Sequence, residues 1–246
     1  MLYDSTASTF LSAHSVPQPV SSIPLVRDFI PFGLLKQPRI YQISGNPQSY
    51  KTTIGVEMAS DFLSLQSSRC EIAWVDCDQK FPIDLMRARK VDLSRILYSS
   101  CQSSEELLMS LLSLENKIKY HEKDGDDLLR AIFIDGFNSS FWIDEKAKEY
   151  TKPIRWTLKS IIEKFVTAYG VSVVAVFQDL GDFDIWESFD TAPSMKLRCK
   201  KLAPGKGALS YKTFSDEFEI SRNREIVWGK RKLNNEEVEQ NEREDE

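Results

Sequence analysis

The nine residues from Gly45 to Thr53, Gly-Asn-Pro-Gln-Ser-Tyr-Lys-Thr-Thr, follow the pattern of a phosphate-binding loop with one substitution. In the full pattern G-x-x-x-x-G-K-[ST], backbone N–H groups and a helix N-terminus surround a phosphate. The Lys contacts the β- and γ-phosphate oxygens, and the hydroxyl ligates Mg²⁺. Lys51 and Thr52 are placed for these last two roles. The residues predicted to bind ATP are Gly45, Ser49, Tyr50, Lys51, Thr52 and Thr53.

Tyr50 is the substitution, because it stands where the pattern has its second Gly. A tyrosine places a Cβ and a ring where the backbone of such a loop approaches a phosphate closely. Nucleotide binding is then either weakened or lost, and the sequence leaves both outcomes open.

Polar side chains at the ends of three apolar runs supply further candidates for phosphate chemistry. Asp135 ends the run Ala131–Asp135 and is predicted to join Thr52 at Mg²⁺. Asp78 follows another run, where it either polarises a water for attack on a γ-phosphate or only solvates the end of a strand. Gln178 closes a third run and is predicted to sense the γ-phosphate. Asp78 and Gln178 are therefore the candidate catalytic residues.

The charge of the chain is unevenly distributed. The formal net charge is -5, but residues 196–232 hold eleven Lys or Arg and four acids, which makes this segment +7. We interpret Asp179 to Lys212 as a flexible cationic loop that contacts phosphate backbones, the alternative being a merely solvated loop. The residues predicted to bind DNA are Lys196, Arg198, Lys200, Lys201, Lys206 and Lys212.

Short apolar runs alternate with helical patterns from Arg39 to Phe177, as is typical of a parallel sheet with helices on both faces. The phosphate loop falls between a predicted strand and a predicted helix. We predict an α/β fold with a mostly parallel central sheet, closed by an antiparallel hairpin near residues 214–228. The predicted strands are residues 39–44, 72–76, 96–98, 129–135 and 171–177, and the predicted helices are 52–65, 82–89, one from a capping box at Ser103, and one with Pro153 in its first turn.

The two ends of the chain differ in composition from the centre. Residues 1–35 begin rich in Ser and Pro and are predicted to form a flexible arm, in which Phe10–Ala13 forms a weak F-x-x-A pattern. Residues 234–246 are predicted to be a disordered acidic tail, because seven acids stand in the last eleven residues. A single domain from 36 to 233 remains.

Bulk composition excludes several classes of protein. The four cysteines show no C-x-x-C spacing and only His14 and His121 accompany them, so neither a zinc cage nor a disulfide framework is indicated. No window approaches the ~18 apolar residues of a membrane span. We therefore expect an intracellular protein without membrane contact.

Taken in order, these motifs resemble those of the RecA-like recombinases of homologous recombination, over about residues 36–230. The likeness is greatest to the recombinase paralogues, through Trp74–Phe81, Leu97–Cys101 and the run Ile134–Asp144. The resemblance implies a RecA-like P-loop ATPase core. It also implies a first DNA loop at residues 144–152 and a second in the basic stretch after Asp179.

By this resemblance the chain is a nuclear subunit of a hetero-oligomer of recombinase paralogues. It would assist the main recombinase filament on single-stranded or forked DNA at breaks and stalled forks. Asp78 stands where the recombinase has its catalytic Glu, and it is shorter by a methylene. The resemblance therefore implies a degenerate ATP site with little or no turnover; the alternatives are an active DNA-dependent ATPase and a nucleotide-free scaffold.

Overall fold

The structure of the chain, a computed structural model, describes residues 21–29, 38–64, 70–121, 128–139, 148–179 and 192–233. These residues form an α/β fold around one nine-stranded sheet. The strands are β1 (Ile40–Gly45), β2 (Cys70–Asp76), β3 (Ile96–Ser100), β4 (Leu128–Asp135), β5 (Ser172–Val176), β6 (Ser194–Ala203), β7 (Lys206–Tyr211), β8 (Phe214–Ile220) and β9 (Ile226–Leu233). The helices are α1 (Pro24–Phe29), α2 (Lys51–Leu63), α3 (Ile83–Ala88), α4 (Ser104–His121) and α5 (Lys148–Thr167), with a 3₁₀ turn at Leu93–Arg95.

The strand order across the sheet is β3-β2-β4-β5-β1-β6-β7-β8-β9. The first six strands of this order, from β3 to β6, pair in parallel, and β6 to β9 pair antiparallel. The prediction of a mostly parallel sheet with an antiparallel C-terminal hairpin is therefore confirmed. Every residue of β5 is buried, as expected for a parallel strand with helices on both of its faces.

Two apolar layers flank the sheet. On one face α2 packs Ile54 and Phe62 against a cluster that contains the stacked rings of Trp74 and Phe133. On the other face α4 and α5 contribute Leu107, Leu111, Leu158, Ile162 and Phe165 to a second cluster. Helix α2 follows directly from the predicted phosphate loop, so its burial against the sheet fixes the position of the loop.

Residues 21–29 correct the prediction of a flexible arm over 1–35, since they form helix α1 and the turn before it. Ile23, Leu25 and Val26 have no exposed surface and belong to the same apolar layer as α2. The composition argument gave weight to Ser and Pro, but Pro is tolerated in the first turn of a helix. Phe10–Ala13 lies outside the described residues.

Strands β6 and β7 correct the prediction of a flexible loop from Asp179 to Lys212. In β6 the buried Met195, Leu197 and Cys199 alternate with the exposed Lys196, Arg198 and Lys200. This period of two is that of a strand with one face on the core. The many positive charges of this segment led us to predict a loop despite this period-two pattern. Residues 180–191 lie outside the described residues.

Helix ends agree in part with the predictions. The serine half of the predicted capping box before α4 is present, because Glu106 N–H donates to Ser103 Oγ at 3.2 Å. The Glu106 carboxylate accepts from Gln102 N–H at 2.7 Å, one residue before the N-cap. Helix α5 begins at Lys148, so Pro153 lies inside it rather than in its first turn. The predicted acidic tail 234–246 and residues 144–147 of the predicted first DNA loop lie outside the described residues, whereas residues 148–152 of that loop form the start of α5.

Candidate nucleotide site

The loop between β1 and α2 holds unusual backbone conformations. Gly45 has φ +154°, and a Cβ there would lie 2.2 Å from the Cys199 carbonyl oxygen on β6. Gln48 and Tyr50 have φ values of 62° and 68°, in the left-handed region that favours glycine. The loop thus keeps a backbone shape suited to glycine at the substituted position.

The Tyr50 side chain links the loop to the turn between β6 and β7. Its hydroxyl accepts a hydrogen bond from Gly205 N–H at 2.7 Å and lies 3.5 Å from the Ala203 carbonyl oxygen. Its ring packs edge-on against Phe218, with centroids 6.0 Å apart. The aromatic ring that the sequence placed against a phosphate is therefore anchored on the antiparallel strands, although it still lines the cavity beside the loop.

Lys51 bends back onto its own loop. Its Nζ donates to the carbonyl oxygens of Gly45 and Asn46, at 2.8 and 2.7 Å, and to Ser49 Oγ at 3.3 Å. Burial lowers the pKa of Lys51, and the nearby Asp135 and Asp78 act in the opposite direction. Among the described residues the ammonium thus has only neutral oxygens as hydrogen-bond partners, and a phosphate oxygen is a stronger acceptor for it.

Thr52 and Asp135 meet across the gap between α2 and the carboxyl end of β4. Thr52 Oγ1 lies 3.1 Å from both carboxylate oxygens of Asp135. Asp135 is 4% exposed. Burial raises its pKa to about 7, and the charges of Asp78 and Asp76 add to this shift.

This pair has the donor chemistry that Mg²⁺ takes beside a phosphate, namely one hydroxyl and one carboxylate. Within the described part of the chain, no group of three or more His, Cys, Asp or Glu side chains is arranged to hold a metal ion. A cation bound here would complete its coordination with phosphate oxygens and water, as Mg²⁺ commonly does.

Asp78 is held by the turn that follows β4. Ser139 Oγ donates a short hydrogen bond to Asp78 Oδ1. Gly136 has φ +73°, and a Cβ there would meet the Asp78 carboxylate at 2.4 Å. Asp78 N–H in turn donates to Asp76 Oδ1 at 3.0 Å. The carboxylate predicted to act as a base is therefore already engaged as an acceptor and packed against glycine.

Gln178 is positioned by Asn138, a residue that sequence reasoning missed. Asn138 Nδ2 donates to the Gln178 carbonyl at 2.7 Å, and Gln178 N–H donates to Asn138 Oδ1 at 2.9 Å. Asn138 is 3% exposed and Gln178 is half-buried, so this reciprocal pair lies at the edge of the core. Its signal in the sequence is an Asn placed in a turn directly after a strand that ends in Asp135, where a polar side chain bonds nearby backbone.

A cavity of about 550 Å³ brings most of the predicted site residues together. This volume lies within the range of small-molecule and cofactor sites. Its lining contains Ser49, Tyr50, Lys51, Thr52, Asp78, Asp135, Gln178 and Lys201, together with Pro47, Gln48, Lys80, Gly136, Val176 and Phe177. The predicted residues Gly45 and Thr53 are outside this lining.

The cations predicted to bind DNA do not form one surface. Lys201 lines the 550 Å³ cavity, and its Nζ lies 3.2 Å from Gln48 Oε1. Lys206 is paired with Glu219. Three of the other cations, Lys196, Arg198 and Lys212, line a second cavity of about 440 Å³ together with Ser44, Ser194, Leu197, Ser210 and Tyr211. Lys200 is exposed on β6 outside both linings.

The helices in the described ranges are each too short or too polar to cross a bilayer. Compared with known proteins, the chain matches no protein-family model and no curated protein.

Proposed function

We propose that the chain binds Mg–ATP in the 550 Å³ cavity and serves as a subunit of a recombinase-paralogue complex in homologous recombination repair. Its motifs resemble those of X-ray repair cross-complementing protein two. In this proposal its partners are other paralogues, the main recombinase filament and single-stranded or forked DNA, and it acts in the nucleus. The core is then a RecA-like P-loop domain that binds nucleotide and turns over little of it.

The observation that carries the proposal is the meeting of Lys51, Thr52 and Asp135 at one cavity. Thr52 and Asp135 are 83 residues apart in the sequence, yet they are within hydrogen-bond distance. Lys51 can reach a phosphate by exchanging loop carbonyls for phosphate oxygens. Mg²⁺ bound at Thr52 and Asp135 would neutralise phosphate charge.

The engagement of Asp78 favours an adaptor over an active ATPase. A general base must accept a proton from water at hydrogen-bond distance. Ser139 already donates to Asp78 Oδ1, and Gly136 packs closely against the same carboxylate. Hydrolysis would require this arrangement to open, so we expect slow turnover even when nucleotide binds.

The second cavity supports direct contact with DNA. Lys196, Arg198 and Lys212 line it together with the hydroxyls of Ser44, Ser194 and Ser210. Lys, Arg and Ser side chains of this kind contact phosphate oxygens without reading sequence. Arg198 is also paired with Asp179 at 3.2 Å. DNA would therefore compete with Asp179 for this guanidinium.

Nucleotide binding is tested by titrating a fluorescent ATP analogue with Mg²⁺ against the wild type, Lys51→Ala and Asp135→Asn. We expect saturable binding by the wild type and a loss of at least about tenfold in each variant, equivalent to about 1.4 kcal/mol. Equal signals from the three proteins would favour the nucleotide-free scaffold. Robust DNA-stimulated hydrolysis by the wild type would instead favour the active ATPase.

Assembly and DNA contact are tested in the purified complex with recombinase paralogues. Replacing Lys196, Arg198 and Lys212 together by Ala should lower affinity for single-stranded DNA and reduce the slope of log affinity against log salt by about 2, because each lost phosphate contact on a single strand removes about 0.7. The matched control replaces Lys90, Arg222 and Arg224, exposed cations outside both cavity linings. A control that flattens the slope equally, or a failure to co-purify with any paralogue, would contradict the proposal.

A further inference from the structure

Adjacent lysines on β6 have different surroundings. Both lysines are exposed, but Lys200 lines neither cavity, whereas Lys201 lines the cavity beside the loop Gly45–Tyr50. Successive side chains of a strand point to opposite faces of the sheet, so two adjacent lysines can lie on different surfaces. A count of charges in the sequence does not show this difference. Lys201 Nζ donates to Gln48 Oε1 at 3.2 Å, which places the ammonium beside the loop itself.

The backbone on both sides of Lys201 is joined to the loop. Before it, the Cys199 carbonyl lies so close to Gly45 that a Cβ on Gly45 would approach the carbonyl oxygen to 2.2 Å. After it, Gly205 N–H donates to the Tyr50 hydroxyl at 2.7 Å. The position of Lys201 relative to the loop is therefore fixed by contacts on either side, rather than by its flexible side chain alone.

The charges around the cavity leave Lys201 suited to an anion. Three lysines line it, Lys51, Lys80 and Lys201, against two carboxylates, Asp78 and Asp135. Gln48 offers Lys201 a neutral amide oxygen. The bond from the Lys201 ammonium to the Gln48 amide involves one charged group, whereas a bond to a phosphate oxygen joins two opposite charges and adds Coulomb attraction. A phosphate in the cavity would thus attract Lys201 away from Gln48.

We propose that Lys201 is a second phosphate-binding cation of the nucleotide site, supplied by β6 of the same chain, and that the ligand is a Mg-bound nucleoside triphosphate. This inference rests on the proposed function and deepens it. It also moves Lys201 from the DNA-binding set to the nucleotide site. The turn at residues 203–205, tied to Tyr50, acts as the support that positions this lysine.

The test compares Lys201→Ala, Lys201→Arg and the neighbouring control Lys200→Ala. Binding of fluorescent ATP and ADP analogues is measured with Mg²⁺, alongside affinity for single-stranded DNA at several salt concentrations. We expect Lys201→Ala to weaken the ATP analogue about five- to tenfold, Lys201→Arg to recover most of the affinity, and Lys200→Ala to change it less than twofold. The DNA salt slope should be the same for Lys201→Ala and the wild type. Urea unfolding of each variant checks that its fold is intact.

The possible outcomes separate this inference from the proposed function. If the wild type binds the ATP analogue and Lys201→Ala binds it equally well, this inference is wrong while the site at Lys51 and Thr52 stands. If Lys200→Ala weakens binding as much as Lys201→Ala, the effect is a general one of surface charge and the inference is again wrong. If the wild type binds neither analogue, both the inference and the proposed nucleotide site are overturned.

Discussion

The two halves of the sheet, β3 to β1 and β6 to β9, differ in strand direction and in where their candidate functional residues lie. From β3 to β1 the strands are parallel, and apolar layers cover both faces of β2, β4, β5 and β1. From β6 to β9 they alternate in direction, and β6 buries one face while it exposes cations on the other. In the first half, the candidate groups lie at the carboxyl ends of strands or in the loop and first helical turn that follow them. In the second half they project from the sides of strands, so their spacing follows a period of two.

The halves meet at the pair β1–β6, where Gly45 is opposite Cys199. A second connection is made by residues 21–29. Ser21 and Ser22 bond to Asp61 on α2, and Asp28 bonds to Arg231 on β9. The loop that begins at Gly45 therefore contacts both halves of the sheet. The contacts of this loop and of residues 21–29 can each be removed by a separate substitution.

The largest effect is expected at the junction itself, from Gly45→Ala. The new Cβ would lie 2.2 Å from the Cys199 carbonyl oxygen and 2.6 Å from Ser49 Oγ, at a φ that L side chains rarely adopt. We expect a loss of about 3 kcal/mol in the free energy of unfolding, or no folded protein, because overpacking and backbone strain add. Urea unfolding followed by circular dichroism measures the loss.

Gly55→Ala is the matched control for this prediction. It lies inside α2, and its nearest neighbours would be 3.7 Å from the new Cβ, an ordinary contact distance. Helix propensity should make this change neutral or stabilising by up to about 1 kcal/mol. If Gly45→Ala were as stable as Gly55→Ala, the two halves would not be packed together at the loop.

The attachment of α1 to the antiparallel half is tested by Arg231→Ala. Arg231 makes two bonds to Asp216, at 2.8 and 3.0 Å, and a third to Asp28. Asp216 is only 2% exposed, so the change leaves a carboxylate buried without its cation. We expect a loss of about 2 kcal/mol, below the usual cost of breaking a buried pair because Arg231 is partly exposed.

Arg224→Ala provides the comparison for the ion pair. Arg224 lies 3.8 Å from Asp84, and both side chains are more than half exposed. Removing an exposed pair should change the free energy of unfolding by less than about 0.5 kcal/mol. Equal losses in the two variants would mean that the burial of Asp216 does not matter.

The parallel half was predictable because its signals are local and agree with each other. Apolar runs that end in Asp76, Asp135 and Gln178 indicated strands whose carboxyl ends share one edge, and the loop before Lys51 fixed where that edge lies. The meeting of Thr52 with Asp135 follows from this topology.

The antiparallel half was predicted less well, because the prediction gave the positive charges more weight than the alternation of apolar and charged residues. Met195, Leu197 and Cys199 alternate with cations, and the count of positive charges favoured a loop over that alternation. The bond from Tyr50 to the turn after β6 joins residues 155 apart in sequence, and no local pattern predicts such a contact. Because the cavity beside the loop is formed by residues distant in sequence, only the folded structure shows that Lys201 lines it and Lys200 does not.

The contact of Ser21 and Ser22, the residues before α1, with Asp61 of α2 is tested by measuring stability as a function of pH. Asp61 is buried and accepts hydrogen bonds from Ser21 Oγ and Ser22 N–H at 2.8 and 2.9 Å. Burial outweighs these bonds and raises the pKa of Asp61 from 3.8 to about 6, and Glu57 adds to the shift. Since the folded pKa is the higher one, the folded state keeps its proton while the unfolded chain loses it. Stability therefore falls as the pH rises from about 4 to 6 and then levels off.

Asp61→Asn isolates this contribution, because asparagine does not titrate. The free energy of unfolding of the wild type, relative to this variant, should fall by about 1 to 2 kcal/mol between pH 4 and pH 7. Urea unfolding of both proteins at intervals of half a pH unit measures the difference. A constant difference across this range would mean that Asp61 ionises alike in the folded and unfolded chains.

The smallest expected effect concerns the single hydroxyl that joins the loop to the β6–β7 turn. Tyr50→Phe keeps the ring on Phe218 but removes the acceptor of Gly205 N–H, which is bonded at 2.7 Å. A backbone donor left without its partner should cost about 1 kcal/mol. Tyr120→Phe is the control, since Tyr120 is 78% exposed and should be neutral. If Tyr50→Phe were also neutral, the substitution of the loop's second glycine would contribute only its ring, and the two halves would be joined at this point by packing alone.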